Sequence, residues 1–380
     1  MHRMLLLSDI HVGSVRDTIY FFNVIADIFE QELIFNHTDA VIILGDFFDK
    51  LSKANDQYTI LAINIMSHLI RLSKRANTKI RIIYGTESHE MSQYALFSYH
   101  FEEESVDMKI IDTVWTEELF PDINVLYIPE EYIENKHEYY KKHLYSGEYY
   151  TYIFGHGIIA EGMPMVNVKI EESKSSEKKV PVFRVDELSS ICELCIYGHY
   201  HLKRQISDNC YYLGSLFRDK FGEEDPKVYG VIEDGVLTFV ENKDAYTYKS
   251  YEYESSSEIY NSLDNLINEV KKIKSENFDI FSGKKVGKIK IIFHLPDDTD
   301  TSFKEGIRNI LFKDKEISYI MKEASVTKTE VDNKVETEYD FILDSVDVEY
   351  KIHRFINKVH EHEIMTFDEV NEIIHGKLKI

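Results

Sequence analysis

Five short apolar runs in this chain each stop abruptly at a polar cluster built from glycine, aspartate and histidine. Residues 4–7 lead into Ser8-Asp9-Ile10-His11, residues 41–44 into Gly45-Asp46-Phe47-Phe48-Asp49, and residues 79–84 into Gly85-Thr86-Glu87-Ser88-His89-Glu90. Residues 152–154 precede Gly155-His156-Gly157, and residues 194–197 precede Gly198-His199-Tyr200-His201. Short aliphatic runs bounded by turn residues read as buried strands. Between the first three, Ile19, Phe22, Ile25, Ile28 and Phe29 space as one helical face, and so do Leu61, Ile65 and Leu69. The layout is β-α-β-α-β, which predicts an α/β fold. Loops from several strands converge beyond the carboxyl ends of such a sheet, so residues remote in sequence meet there.

From residue 152 onward the runs shorten: 152–154, 194–197, 211–213, 228–232, 236–240 and 246–251. A second sheet packed on the first is the economical expectation, with Asp234-Gly235 as a hairpin turn. Residues 171–179, rich in serine and lysine, read as an exposed excursion. Ser255-Ser256-Ser257 marks a boundary between a domain over 1–254 and a smaller α+β module over 255–380. In that module Ile259, Leu263, Leu266, Ile267 and Val270 form a helical stripe. A strand over 288–294, a helix over 301–312 and a strand over 339–343 follow. Ile352, Phe355, Ile356 and Val359 form another stripe, and a capping box from Thr366 to Glu369 opens a last helix that Gly376 closes.

Composition narrows the function classes. The 380 residues carry 44 Lys and Arg against 67 Asp and Glu, a net charge of −23. That balance argues against a protein held to nucleic acid mainly by its own net charge, although it does not exclude a nuclease. Hydrophobic residues at 43% with 29% charged describe a folded chain. The apolar run over 4–7 is too short for a signal peptide or a membrane span, so a cytoplasmic location is expected. Cys192, Cys195 and Cys210 are too few for a disulfide framework, and Cys192-x-x-Cys195 has no second pair with which to hold zinc. They read as small buried residues beside strands.

The polar clusters carry the chemistry. Asp9 and His11 stand two residues apart and would chelate one ion from an extended chain, and Gly45 lets the backbone turn so that Asp46 sits against a metal. Carboxylates and neutral imidazoles make an oxygen and nitrogen site, which favours manganese, iron or zinc over a soft-metal centre. A bridging carboxylate offsets the repulsion of two cations and brings them to roughly 3.5–4 Å, an arrangement suited to phosphoester cleavage.

In this order the motifs resemble the calcineurin-like metallophosphoesterase superfamily. Gly214-Ser215 after the strand that follows G-H-x-H, and the added C-terminal module, resemble its SbcD-type branch, the nuclease subunit of DNA double-strand-break repair complexes. The motif resemblance covers roughly residues 1–240. It implies a four-layer α-β-β-α sandwich with a C-terminal α+β capping module. It also implies that Asp9, His11 and His201 hold one divalent cation, that Asp46 bridges, and that His156 and His199 hold the second. His89 would protonate or position the scissile phosphate without binding metal. Manganese is the implied metal, with magnesium, iron or zinc as alternatives. The implied substrates are duplex DNA ends and single strands, and the implied partner is an SbcC-like coiled-coil ATPase in a heterotetramer that contains a homodimer of this chain.

The third motif departs from the family pattern, which reads G-N-H-[DE] with the asparagine oxygen on the second ion. Here Ser88 precedes His89. Ser88 substitutes as a ligand, or Thr86 or Glu87 reaches in, or water fills the place; Ser88 also suits a helix N-cap ahead of Glu90 and Met91. Asp49 is expected to orient a ligand or to cap the following segment. Arg218 and Lys220 are expected near the metal face, as contacts to a DNA phosphate backbone or as a solvated pair. Lys284, Lys285, Lys288 and Lys290 form the densest basic run outside the catalytic part. Two other functions stay open on the same residues: a phosphatase or small-molecule phosphodiesterase, and a metal-poor scaffold.

Overall fold

Strand β1 (Arg3–Leu7) leaves no side chain from Met4 to Leu7 in contact with solvent, because it lies in the middle of a sheet covered on both faces. The computed structural model describes residues 2–15, 17–53, 56–97, 106–164, 178–223, 225–277, 286–296, 299–311 and 317–323. The expected strand over 339–343, the stripe from Ile352 to Val359, the capping box at Thr366, Gly376, Lys284 and Lys285 lie outside them. So does most of the 171–179 excursion.

In chain order, β1 is followed by α1 (Thr18–Phe29), β2 (Ala40–Leu44), α2 (Gln57–Ala76), β3 (Lys79–Ile83) and the one-turn α3 (Glu87–Glu90). Strands β4 (Met108–Ile111), β5 (Trp115–Phe120) and β6 (Ile123–Ile128) come next, then α4 (Lys136–Leu144) and β7 (Tyr150–His156). A small pair, β8 (Ile158–Ile159) and β9 (Val182–Phe183), precedes α5 (Val185–Ser189), β10 (Cys192–Gly198), β11 (Arg204–Ser207) and β12 (Cys210–Tyr212). Strands β13 (Val228–Glu233) and β14 (Val236–Glu241) form a hairpin through Asp234-Gly235. The remaining elements are β15 (Thr247–Tyr253), α6 (Leu263–Asn277), β16 (Val286–Leu295), α7 (Thr301–Leu311) and β17 (Ile317–Glu323).

The result is a mixed α/β fold. One six-stranded sheet has the order β14-β13-β1-β2-β3-β4 and a second the order β11-β12-β10-β7-β6-β5. Strand alternation divides the burial. Leu5, Leu7, Val41, Ile43, Ile80 and Ile82 pack with α1 and α2 through Phe21, Ile25, Leu61, Ile65 and Leu69. Met4, Leu6, Ile42 and Leu44 turn the other way, onto Val125, Tyr127, Phe154 and Ile196 of the second sheet. That sheet's far face, with Leu126, Ile153, Cys195 and Tyr197, packs on Tyr140, Leu144 and Leu188 of α4 and α5. Arg81 of β3, buried among the apolar groups, makes a two-pronged contact with Glu117 of β5 at 2.7 and 3.0 Å, and Tyr127 donates to the same carboxylate. That charge ties one sheet to the other, and its carboxylate partners Glu117 and Asp107 offset the desolvation that its burial costs.

Three expectations need correction. Residues 228–240 do not extend the second sheet: β13 pairs antiparallel with β1, Arg3 opposite Glu233, and its five buried residues from Val228 to Ile232 complete the first sheet's core. Residues 246–251 belong to neither large sheet; β15 pairs with β16 in a third, all-parallel sheet under α6 and α7. The inward face of α1 is rotated, with Phe21, Val24 and Ala26 buried beside Ile25 and Phe29 while Ile19 is 74% exposed. Asp17 caps the helix at Tyr20, which leaves Ile19 in the first turn, pointing to water. The three cysteines are free and buried in β10 and β12.

Candidate metal centre

The carboxyl ends of β1, β2, β3, β7 and β10 deliver their polar clusters to one place. Beyond β1 and β2 the two loops keep exchanging backbone hydrogen bonds, His11 N–H to the Asp46 carbonyl at 3.0 Å and Val12 N–H to the Phe47 carbonyl at 2.8 Å. The chain is not extended there, as a simple D-x-H chelate would require. Asp9, His11 and Asp46 have φ of 48°, 50° and 49°, and His199 has 92°, a left-handed backbone that side chains other than glycine adopt at a cost of about 1–3 kcal/mol each. Four such residues at motif positions show that the surrounding fold holds them in place. Gly45, at φ 77°, is required twice, since a Cβ there would also fall 2.3 Å from His156 Nδ1.

Asp46 is the hub. Its Oδ1 accepts the Thr86 N–H at 2.7 Å, while Oδ2 lies 3.4 Å from His156 Nε2, 3.8 Å from His11 Nε2 and 4.0 Å from His89 Nδ1. On one side of it, His11 Nε2 and His201 Nε2 approach to 3.0 Å, and Asp9 Oδ1 lies 3.9 and 3.7 Å from them. On the other side stand His156 and His199, rings at right angles and 5.3 Å apart. Three groups of potential ligands result, each with its donor atoms within 4.8 Å of one another: Asp9, His11, His201; His11, Asp46, His89; and Asp46, His156, His199.

The surroundings set the tautomers. His156 Nδ1 lies 2.7 Å from the Leu44 carbonyl, which can only accept, so Nδ1 carries the proton and Nε2 faces the site. His201 Nδ1 donates to Glu223 at 3.2 Å, again freeing Nε2, and Lys227 holds the same carboxylate. Burial and then His201 and Lys227 compete over Glu223, and the partners win, lowering its carboxyl to about 2. Burial pushes the His11 imidazole down against Asp46 and Asp9. For His156 burial also opposes the charged ring, yet Asp46, Asp9 and Glu130 outweigh it and raise the ring well above its ordinary value. Asp46, which burial alone would raise, is held far below the usual carboxylate range by His156, His11 and His89. A group that so favours a positive partner is one a divalent cation fits. The buried ring nitrogens His156 Nε2 and His199 Nδ1 have no hydrogen-bond partner, as expected of lone pairs reserved for a metal.

Asp49 Oδ1 stands 3.9 Å behind His11 Nδ1, and burial with nearby Asp219 raises its carboxyl to about 6. Glu90 is fully buried and accepts from Gly85 N–H, Phe47 N–H and Tyr94 hydroxyl at 2.5, 2.6 and 2.6 Å, clamping the second loop to the third. Ser88 is exposed within α3 and takes part in none of the site's hydrogen bonds or ion pairs among the described residues. Nor does it cap the helix, since the Thr86 carbonyl receives the His89 and Glu90 amides. Arg218 is neither a free phosphate contact nor one of a solvated pair. Its guanidinium is buried and donates to the carbonyls of Glu223, Asp225 and Tyr246, whereas Lys220 is exposed. Two acids escape a reading by motif, Glu223 behind His201 and Glu130, whose Oε2 lies 3.2 Å from His199 Nδ1. Only the apolar run ahead of Glu130 in β6 could have signalled it.

No protein-family model matches this chain, and no curated protein does. Among solved structures, a dimetal phosphatase from Danio rerio is similar at 9% identity and a TM-score of 0.29, over 60% of this chain and 91% of the other. A second solved chain reaches 12% identity and a TM-score of 0.36, over 63% and 98%. Likenesses this slight are no basis for assigning a function. No helix among the described residues is long and apolar enough to cross a membrane.

Proposed function

We propose that this chain is a two-cation phosphodiesterase acting on DNA, a nuclease on the four-layer sandwich of the metallophosphoesterases. The observation that carries the reading is Asp46 Oδ2, which lies within 4.0 Å of imidazoles from both sides of the centre and so suits a bridging ligand. Asp9, His11 and His201 would hold one cation with Asp46, and His156 and His199 the other. Bound there, two divalent cations supply positive charge that activates water and stabilises the phosphoryl group under attack. The oxygen and nitrogen donors favour manganese, with magnesium, iron or zinc as alternatives.

The chain's own part is orientation and proton handling. Leu44 and Glu223 fix the His156 and His201 tautomers, and Thr86 aims Asp46. His89 is 29% exposed at its side chain and holds Nδ1 4.0 Å from Asp46, close enough to reach a bound phosphate and protonate its leaving oxygen. The DNA reading is supported by the third sheet. Lys288 lies over the Tyr248 ring and attracts Asp49 beside the centre, and Lys290 stands over Phe221, so cations and aromatic rings flank the approach. A coiled-coil ATPase partner would dock on helical segments after residue 255. Incubating the protein with manganese and linear duplex or single-stranded DNA tests this, with and without such a partner. Cleavage is expected; intact DNA with rapid turnover of an aryl phosphate monoester would make the enzyme a phosphatase, and neither activity would leave a scaffold.

A further inference from the structure

We infer that Glu130 is a ligand of the second cation, taking the place that the third motif leaves without an amide; the inference rests on the two-cation reading above. Glu130 follows the carboxyl end of β6, and its N–H bonds the Tyr84 carbonyl at 3.1 Å, which fixes it beside the loop that β3 feeds. Its side chain is 2% exposed, with Oε2 3.2 Å from His199 Nδ1 and 3.9 Å from His156 Nε2. Among the described residues, the basic groups within 4 Å of this carboxylate are those two imidazoles, and neither of these ring nitrogens makes a hydrogen bond. A buried carboxylate needs a positive partner, because the desolvation of an unpaired one costs several kcal/mol.

Thr86 accounts for the missing amide. It directly follows Gly85, the position the family gives to asparagine, but its hydroxyl is short. Instead of reaching past the carboxylates, Oγ1 sits between them, 3.3 Å from Asp46 Oδ2 and 3.4 Å from Glu130 Oε2. A Cβ on Gly85 would fall 2.3 Å from the Asp46 amide nitrogen, so the loop lies tight against Asp46. The donor set of the second cation becomes Asp46, His156, His199 and Glu130. Replacing a neutral amide by a carboxylate adds one negative charge, which strengthens the hold on that cation.

Manganese titration of EDTA-stripped protein, with free ion followed by electron paramagnetic resonance, tests the assignment without reference to turnover. Wild type is expected to bind two ions. Glu130→Gln should weaken one of them by about 10-fold or more, Glu130→Ala should bind a single ion, and Ser88→Ala should match wild type. Circular dichroism in EDTA checks folding, and should Glu130→Ala not fold, the near-isosteric Glu130→Gln decides. Two ions bound with wild-type affinity in the Glu130 variants would overturn this inference alone. A wild-type protein that binds no ion would overturn the two-cation reading and this inference with it.

Discussion

The two sides of the centre are built from the same kinds of side chain but supported differently. Around Asp9, His11 and His201 the support is mostly from ionisable side chains: Glu223 and Lys227 stand behind His201 and Asp49 stands behind His11, with one backbone donor, the His199 amide, to Asp9 at 3.1–3.2 Å. Around His156 and His199 the support is backbone and close packing: the Leu44 carbonyl, the turn at Gly45 and the carbonyl of Tyr84 that pins Glu130. The first side should therefore respond to changes of charge around it, and the second to changes of shape. Asp46 belongs to both.

Variants can break or sharpen that contrast. The largest effect is expected of Asp46→Ala, which should remove both ions and all detectable cleavage; retention of one ion at wild-type affinity would show that the sides are independent. His89→Ala should slow cleavage by about 10²–10⁴-fold with both ions kept, as read by metal analysis of the dialysed protein, and loss of metal would make His89 a ligand. Glu223→Gln should weaken manganese at the first side alone, by about 10–100-fold, leaving the second ion in the same titration unchanged. Arg218→Met should cost about 2–3 kcal/mol in urea unfolding, since three carbonyls lose a charged donor, while the salt dependence of any DNA binding stays as in wild type. A shallower salt slope in that variant would return Arg218 to the phosphate backbone.

How much of the molecule is legible in its sequence depends on how each part is specified. Strands β1 and β2 are buried on both faces, so from Met4 and Ala40 onward they read as unbroken apolar runs, and β3 reads as one broken only by Arg81; each ends close to where a polar cluster begins. Strands β4 and β5 are hidden because partial exposure of both, and Glu117 and Glu118 in β5, break their apolar pattern, and the pairing of Glu117 with Arg81 is visible only in three dimensions. The histidines and aspartates sit in short contiguous motifs. Glu130 and Glu223 do not, for each is brought to the centre by a neighbouring strand or loop. The engagement of Arg218 by backbone carbonyls is hidden for a related reason, as sequence proximity to the motif ending at His201 says nothing of where a long side chain folds back. The net charge of −23 likewise becomes more specific. Asp9, Asp46, Glu130 and Glu223 are all buried at the centre, so part of the acidic excess is gathered there, and under the proposed function DNA contact would fall to local groups such as Lys288 and Lys290.

The central claim is that one carboxylate, Asp46, joins two cations. Low-temperature electron paramagnetic resonance of the protein loaded with two equivalents of manganese tests it most directly. The account predicts the multiline signal of an exchange-coupled pair in wild type and its absence in Asp46→Ala. Two uncoupled manganese spectra in wild type, or a coupled pair that survives in Asp46→Ala, would contradict it.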